Sequence, residues 1–411
     1  MSVTDLMQSD LNPFASECRA DPYPRYHAIR ELGPIVPGPP RIWILTGYAA
    51  CATVLQDNRF GHLEPGEEPA NPMFGRLGDD HELLTEPDGT PVPSFIAQNP
   101  PAHTRIRRLV GKAFTARMVQ ALEPQITGIV DGLLDEALAA DEFDLLTALA
   151  YPLPITVISR LLGVPAGDYE TFAGWSNDLV RGLDPLLMQD PEVVKRLGEA
   201  RTEFNAYFRH LAAERRRRPG DDLLSAMASV SEGGDQLTET ELVATCTLLL
   251  IAGHETTANM IGNGTLALLR NPGELAKLRD RPELAGRAVD ELLRYDPPGQ
   301  LAARIAREDV EVGGIAMQRG DTALTFLGAA NRDPAVFTDP DRLDLNRHEA
   351  RHLSFGHGIH FCLGALLAQL EINIALRALV RRAPGLRLAG ELRYKDNVAL
   401  RGLEELRVAV R

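Results

Sequence analysis

The longest apolar pattern in the chain lies past its midpoint. The segment "LTETELVATCTLLLIAGHETTANMIGNGTLALLRNP" is apolar nearly all round at its centre. Thr238 with Glu241 three residues on makes a capping box, and Asn271-Pro272 supplies the stop. The pattern predicts one helix of about 33 residues, about 50 Å long, running through the middle of the molecule. Helical periods also fill the stretch from Ala102 to about Arg218, then "ELAGRAVDELLRYD" up to Pro297-Pro298, and "LGALLAQLEINIALRALVRR". Strand patterns are short: "RIWILTGY" at 41–48, a hairpin "DVEVGGIAMQ" turning at Gly313-Gly314, and the C-terminal "LRYKDNVALRGLEELRVAV". Residues 61–101 are rich in Pro and Gly with no period, which reads as a lid or binding loop. The run "ERRRRPGDD" reads as a solvated helix end. The expectation is a mainly α fold with small β-sheets. It forms one domain over 1–411, with a β-rich part within about 1–60 and a helical core at about 102–295.

Length alone suggests two or three domains; the long central helix favours one. With 43 basic and 57 acidic residues, a net charge of −14 argues against nucleic acid as a partner. The four cysteines, Cys18, Cys51, Cys246 and Cys362, follow neither a zinc nor a disulfide pattern. The N-terminus has no signal-peptide pattern, and the apolar run at 242–253 is too short to span a bilayer. A cytoplasmic protein with reduced thiols and no membrane attachment is expected.

Chemistry concentrates in "SFGHGIHFCLG", residues 354–364. Helix N-termini carry unpaired N–H groups and partial positive charge, which drive a cysteine towards thiolate. Glycines at 356, 358 and 364 let backbone approach something flat or bulky. Taken alone, Cys362 fits three readings: a buried structural cysteine, a catalytic nucleophile, or a thiolate ligand to haem iron. Phe355, Gly358, His360, Cys362 and Gly364 together match F-x-x-G-x-H/R-x-C-x-G, and here the chain resembles the cytochrome P450 family. With no C-x-x-C-H present, the haem implied by the resemblance is haem b, held non-covalently with Cys362 as its metal ligand.

Further matches follow in the family's order. Glu291 and Arg294 form an E-x-x-R on one helix face, a spacing that a surface pair also satisfies. Arg342, in "DPDRLDL", resembles the arginine completing the family's buried Glu-Arg-Arg cluster, with Leu343 where the family commonly has Phe. This trio is expected to be structural. His103 and Arg107 in "HTRIRR", with Arg304 and His360, resemble the family's partners for haem propionates. Independently, carboxylates in a protein interior need cationic donors. Asn99 stands where the family more often has Asp before Pro-Pro. "AGHETT" at 252–257 resembles A/G-G-x-D/E-T: Gly253 opens space for dioxygen, and Glu255 and Thr256 are the acid–alcohol pair. A metalloprotease H-E-x-x-H fails because Ala258 occupies the second histidine position. A helix kinked at Gly253, with Thr256 bonding back to backbone, is the plainer alternative.

The resemblance implies a monooxygenase that inserts one atom of O2 into a bulky, largely apolar molecule, such as a polyketide or macrolide, a terpenoid or a steroid. By position, Leu248, Ile251, Ala252, Gln300, Leu301, Ala302, Val398, Ala399 and Leu400 line its pocket with the 81–98 loop. No nucleotide fingerprint or iron–sulfur cysteine set occurs, so electrons must come from outside the chain, and the resemblance to soluble bacterial members implies a ferredoxin and its NAD(P)H-dependent reductase as the source. Arg108, Lys112 and Arg117 are candidates for the docking patch. A peroxide-driven peroxygenase and a non-catalytic haem sensor are the alternatives.

Overall fold

The computed structural model describes residues 10–71, 84–86, 89–183, 190–349 and 351–410. It divides into two compact units built from discontinuous stretches. One comprises Met1–Gly61, Pro124–Leu153 and Thr256–Arg411, the other His62–Glu123 and Pro154–Glu255. The helices that carry the argument are, in chain order, Ala102–Ala113 (α1), Tyr169–Leu179 (α2), Pro191–Arg217 (α3), Glu239–Arg270 (α4), Ala285–Tyr295 (α5) and Ala365–Arg382 (α6).

The predicted central helix is α4, and its start obeys the capping box. Glu241 N–H donates to Thr238 Oγ1 at 3.1 Å, and Thr238 N–H donates to Glu241 Oε2 at 2.9 Å. In the second unit Arg105 of α1 grips the same Glu241 through both guanidinium ends, at 2.9 to 3.2 Å. One carboxylate therefore caps α4 and fixes α1 against it. Within the same unit, α2 and α3 pack through a seam of rings from Phe172, Trp175, Phe204, Tyr207 and Phe208.

The first unit holds a five-stranded sheet of Ile35–Pro37 (β1), Ile42–Leu45 (β2), Phe60–Gly61 (β3), Leu301–Ala306 (β4) and Thr322–Phe326 (β5). Its order is β1-β2-β5-β4-β3, with β2 and β5 parallel and the other neighbours antiparallel. The predicted strand at 41–48 is thus β2 alone, and Tyr48 already opens a helix. The hairpin at Gly313-Gly314 is present, pairing Val310–Val312 with Ile315–Met317. Leu45, Cys51, Val54, Phe60, Ala323 and Leu353 share one buried cluster. Leu353 directly precedes the cysteine loop, so the loop springs from the core.

One buried acid in this unit has no counter-charge among the described residues. Glu371 of α6 is 2% exposed, its Oε2 lacks a hydrogen-bond partner, and burial pushes its carboxyl well above the usual range. Burial therefore favours the neutral carboxyl of Glu371 in the folded chain. The unfolded chain ionises it above about pH 4.3. Its stability contribution is complete below that pH and is lost as pH rises towards the elevated folded value. The stability of Glu371→Gln relative to the parent protein should accordingly increase from about pH 5 to about pH 8 in chemical denaturation of the holoprotein. An identical difference at both pH values would refute a neutral Glu371.

Candidate active site

In the first unit the cysteine loop closes on itself. Cys362 N–H donates to Phe355 O at 2.8 Å, and Gly356 N–H to Leu353 O at 2.8 Å. A short 3-10 turn, Gly358–His360, carries His360. Gly358 sits at φ +69°, and a Cβ there would stand 2.5 Å from Leu55 O, so only glycine fits. Gly364 precedes α6, and a Cβ there would meet no protein atom within 4 Å. Its small size is not dictated by protein packing.

The four cysteines separate by exposure. Cys18, Cys51 and Cys246 are buried, and burial raises all three thiols. Cys362 alone is half-exposed, one turn before the N-terminus of α6. Arg304 on β4 is the nearest match to a waiting anion site. Its side chain donates only to the neighbouring Ala303 O at 2.8 Å and pairs with no described carboxylate. Burial lowers its pKa to about 10, which leaves it charged at neutral pH. A half-buried thiol at a helix start, a glycine facing open space and a guanidinium without an anion fit a haem with its carboxylates.

The predicted wall segments do meet in this unit. Gln300 N–H donates to Ala399 O at 3.1 Å, and Gly299 bridges Leu400. Leu301, Ala302, Val398 and Ala399 are half-buried there, and Leu400 is buried. Gln300 corrects the sequence reading. Its side chain is consumed by the core, accepting from Tyr26 Oη at 3.1 Å and donating to Pro297 O at 2.7 Å. It does not serve a pocket.

The cluster supporting the loop brings a second correction. Arg294 binds Glu291 through two bonds of 2.7 and 2.9 Å, both residues being buried. The third member is Arg347, whose Nε lies 3.2 Å from Glu291 Oε1. Arg342 instead points outward, 61% exposed, to Asp344 at 3.2 Å. It contributes only its carbonyl, which accepts from both Arg294 and Arg347 at 3.1 Å. The reason is local: Asp344 N–H donates to Glu291 Oε1 at 2.9 Å, so the chain wraps Glu291 past Arg342. Leu343, where the family commonly has Phe, is buried.

In the second unit His103 on α1 is buried with its ring 6.2 Å from Phe95, and Arg107 is half-buried one turn on. Asn99 accounts for its own departure. Its Oδ1 accepts from His62 N–H at 2.8 Å while its Nδ2 donates to His62 O and Glu64 Oε1 at 2.9 and 2.8 Å, a donor role closed to an aspartate. Arg108 and Lys112 are both exposed and share Glu232, Lys112 at 2.8 Å, so one carboxylate offsets one of their two charges, and Arg117 is exposed nearby in sequence. Of the 81–98 loop, residues 81–83 and 87–88 lie outside the described residues. Glu86 within it accepts from Thr238 and Thr240 at 2.6 and 3.1 Å.

Along α4 the coverage changes at mid-length. Neighbouring positions are mostly buried, but Leu248, Ile251, Gly253 and Thr256 are half-exposed and Ala252 is exposed. Leu248, Ala252 and Thr256 recur at i, i+4 and i+8, one face of the helix. Glu255 is buried. Sequence reasoning passed over its neighbour His254, which is buried with Nδ1 2.8 Å from Ser176 Oγ of α2. The partner lies 78 residues away, beyond any local pattern.

This geometry agrees with the comparisons to known proteins. The chain is 42% identical to "Cytochrome P450 monooxygenase PikC" of Streptomyces venezuelae, over 97% of this chain and 93% of that protein. It is 39% identical to a "Vitamin D(3) 25-hydroxylase" of Pseudonocardia autotrophica, over 100% and 98%. The crystal structure of Mycobacterium smegmatis CYP164A2 superposes with a TM-score of 0.87 at 43% identity, covering 97% of this chain and 99% of that one. No helix among the described residues is long and apolar enough to cross a membrane. The family model named Cytochrome P450 matches residues 74–382, and a match of that extent, with relatives this similar along their whole length, makes the chain a member of the cytochrome P450 monooxygenase family.

Proposed function

We propose that the chain hydroxylates or epoxidises a bulky, largely apolar small molecule, of the polyketide or macrolide, terpenoid or steroid classes. The observation that carries this reading is Cys362: it is the one cysteine outside the buried core, on a glycine-shaped loop at a helix start. Cys362 would ligate haem b, with Phe355, Gly358 and Gly364 shaping its cradle. His103, Arg107, Arg304 and His360 would hold its carboxylates. Haem, once bound, supplies the oxygen-activating chemistry, which a thiolate ligand favours.

The chain's own residues do the rest. Gly253 lies against Ile158, where a Cβ would stand 3.5 Å from Ile158 Cδ1; Thr256 would hold a proton at its hydroxyl, and Glu255 would relay protons to it. Leu248, Ile251, Ala252, Leu301, Ala302, Val398, Ala399 and Leu400 would exclude water and seat an apolar substrate without a fixed charge. The name of the vitamin D(3) hydroxylase, a relative over its full length, supports that size and polarity. Electrons would come from a ferredoxin and an NAD(P)H-dependent reductase, with the exposed Arg108, Lys112 and Arg117 the candidate docking cations.

Two measurements test this. The reduced carbon-monoxide complex should show the strongly red-shifted Soret band of thiolate ligation; an imidazole-type band from active protein would overturn Cys362. A spectral-shift screen of macrolides, terpenoids and steroids should yield a member that is oxidised with NAD(P)H and a surrogate ferredoxin system. Turnover with peroxide alone would mark a peroxygenase, and turnover with neither a haem sensor.

A further inference from the structure

The α2–α3 pair behaves as one body by its own contacts. Beyond the ring seam, Trp175 Nε1 donates to Glu203 Oε2 at 2.9 Å, and Tyr207 Oη donates to Asp168 Oδ2 at 2.7 Å. Among the described residues its polar attachments to α4 begin with an exposed ion pair at the helix start, Arg216 Nη1 to Glu239 Oε2 at 3.3 Å. Thr247 Oγ1 reaches Asn205 Oδ1 at the long distance of 3.5 Å. Ser176 Oγ and His254 Nδ1 meet at 2.8 Å with both side chains buried. The Ser176–His254 contact is short, dry and adjacent in sequence to Glu255 and Thr256.

Helical geometry gives that adjacency its meaning. Successive residues turn by about 100°, so His254 and Thr256 project about 200° apart. Fixing His254 against α2 aims Thr256 to the opposite side, the half-exposed face it shares with Ala252 and Leu248. A freely rotating or sliding α4 would lose that aim, and a shift of about 1 Å in a reacting geometry costs on the order of a hundredfold in rate.

We propose that the Ser176–His254 hydrogen bond is a positioning contact that ties the α2–α3 pair to the acid–alcohol turn of α4, and that this tie sets what fraction of the electrons consumed ends in product. The proposal rests on the roles given to Glu255 and Thr256 above. Neither Ser176 nor His254 touches the reacting atoms in this account. They hold the turn.

The test uses haem-loaded protein and the panel member that the parent enzyme oxidises. In Ser176→Ala, hydrogen exchange over Tyr169–Leu179 should rise about tenfold, the population change that accompanies loss of one buried hydrogen bond. Product per NAD(P)H should fall several-fold and peroxide release rise, while haem content stays at the parent level. Ser176→Thr keeps the hydroxyl and should restore both readouts. His254→Phe, which fills the site without the bond, should repeat Ser176→Ala and serves if that variant folds poorly. Parent-level exchange and coupling in either disrupted variant would overturn the proposal, as would failure of Ser176→Thr to rescue. If the parent protein oxidises no panel member, the proposed function fails, and the exchange measurement still decides the tie on its own.

Discussion

Replacing Arg347 with Ala should leave little haem-loaded protein, while Arg342→Ala should load haem as the parent chain does. Glu291 lies at the centre of the difference. It accepts two bonds from Arg294, one from Arg347 and one from the Asp344 backbone, all with the carboxylate buried. Removing one partner of a buried ion pair costs roughly 3–5 kcal/mol, because the remaining charge stays in a dry site. A domain holds only about 5–15 kcal/mol in total. The exposed pair of Arg342 with Asp344 is worth about 0–1 kcal/mol. The loss should reach the haem site through identifiable bonds. Arg294 Nη1 donates to Asn331 O at 3.0 Å, and the Asn331 side chain accepts from Leu353 N–H at 2.7 Å and donates to Ser354 Oγ at 2.8 Å. Ser354 Oγ in turn donates to Leu293 O at 2.7 Å, back on α5. The start of the cysteine loop is therefore fastened to the helix that carries Glu291 and Arg294. Haem per protein and denaturant midpoints measure the effect for Glu291→Ala, Arg347→Ala and Arg342→Ala. Normal loading of Arg347→Ala beside poor loading of Arg342→Ala would reinstate the residue that the sequence suggested.

That substitution of one arginine for another illustrates what a sequence conveys. Thr238 and Glu241, Gly313-Gly314, and the α6 periodicity are written in residues a few positions apart, and each feature forms where its local chemistry places it. The cysteine loop is local only in part: the positive φ of Gly358 belongs to the loop, but the close approach that excludes a Cβ comes from Leu55 O, in a helix far upstream. Arg342 and Arg347 are five residues apart in a stretch without regular structure, where no period says which side chain turns inward. Gln300 failed for a similar reason. It stands just before β4, and its partners Tyr26 and Gly328 come from distant segments. Ser176 and His254 were invisible for the same cause, a bond formed only once two helices pack. The pairing of Arg108 and Lys112 with Glu232 likewise depends on a contact across more than a hundred residues.

Thr256→Ala should keep haem and substrate binding yet lose control over where the electrons go. Thr256 is half-exposed on the face of α4 that also bears Leu248 and Ala252, so its hydroxyl is the polar group on an apolar strip. Removing the hydroxyl deletes a proton donor and acceptor without opening a large cavity, which leaves stability almost unchanged. NAD(P)H consumption should continue while product per NAD(P)H falls about tenfold or more, the usual scale for a positioned proton donor being 10²–10⁴. Peroxide and water take up the balance. Glu255 is buried beside it, and a buried carboxylate in an apolar helix is costly to keep unless it serves a purpose. Glu255→Gln keeps the shape and replaces the carboxyl with an amide that relays no proton, so the whole cycle should slow with coupling better preserved than in Thr256→Ala. Peroxide-driven turnover bypasses the reductive steps and should suffer less in both variants. Fully coupled turnover by Thr256→Ala, with a substrate that carries no hydroxyl of its own near the oxidised carbon, would remove Thr256 from the proton path and leave Glu255 to act through another donor.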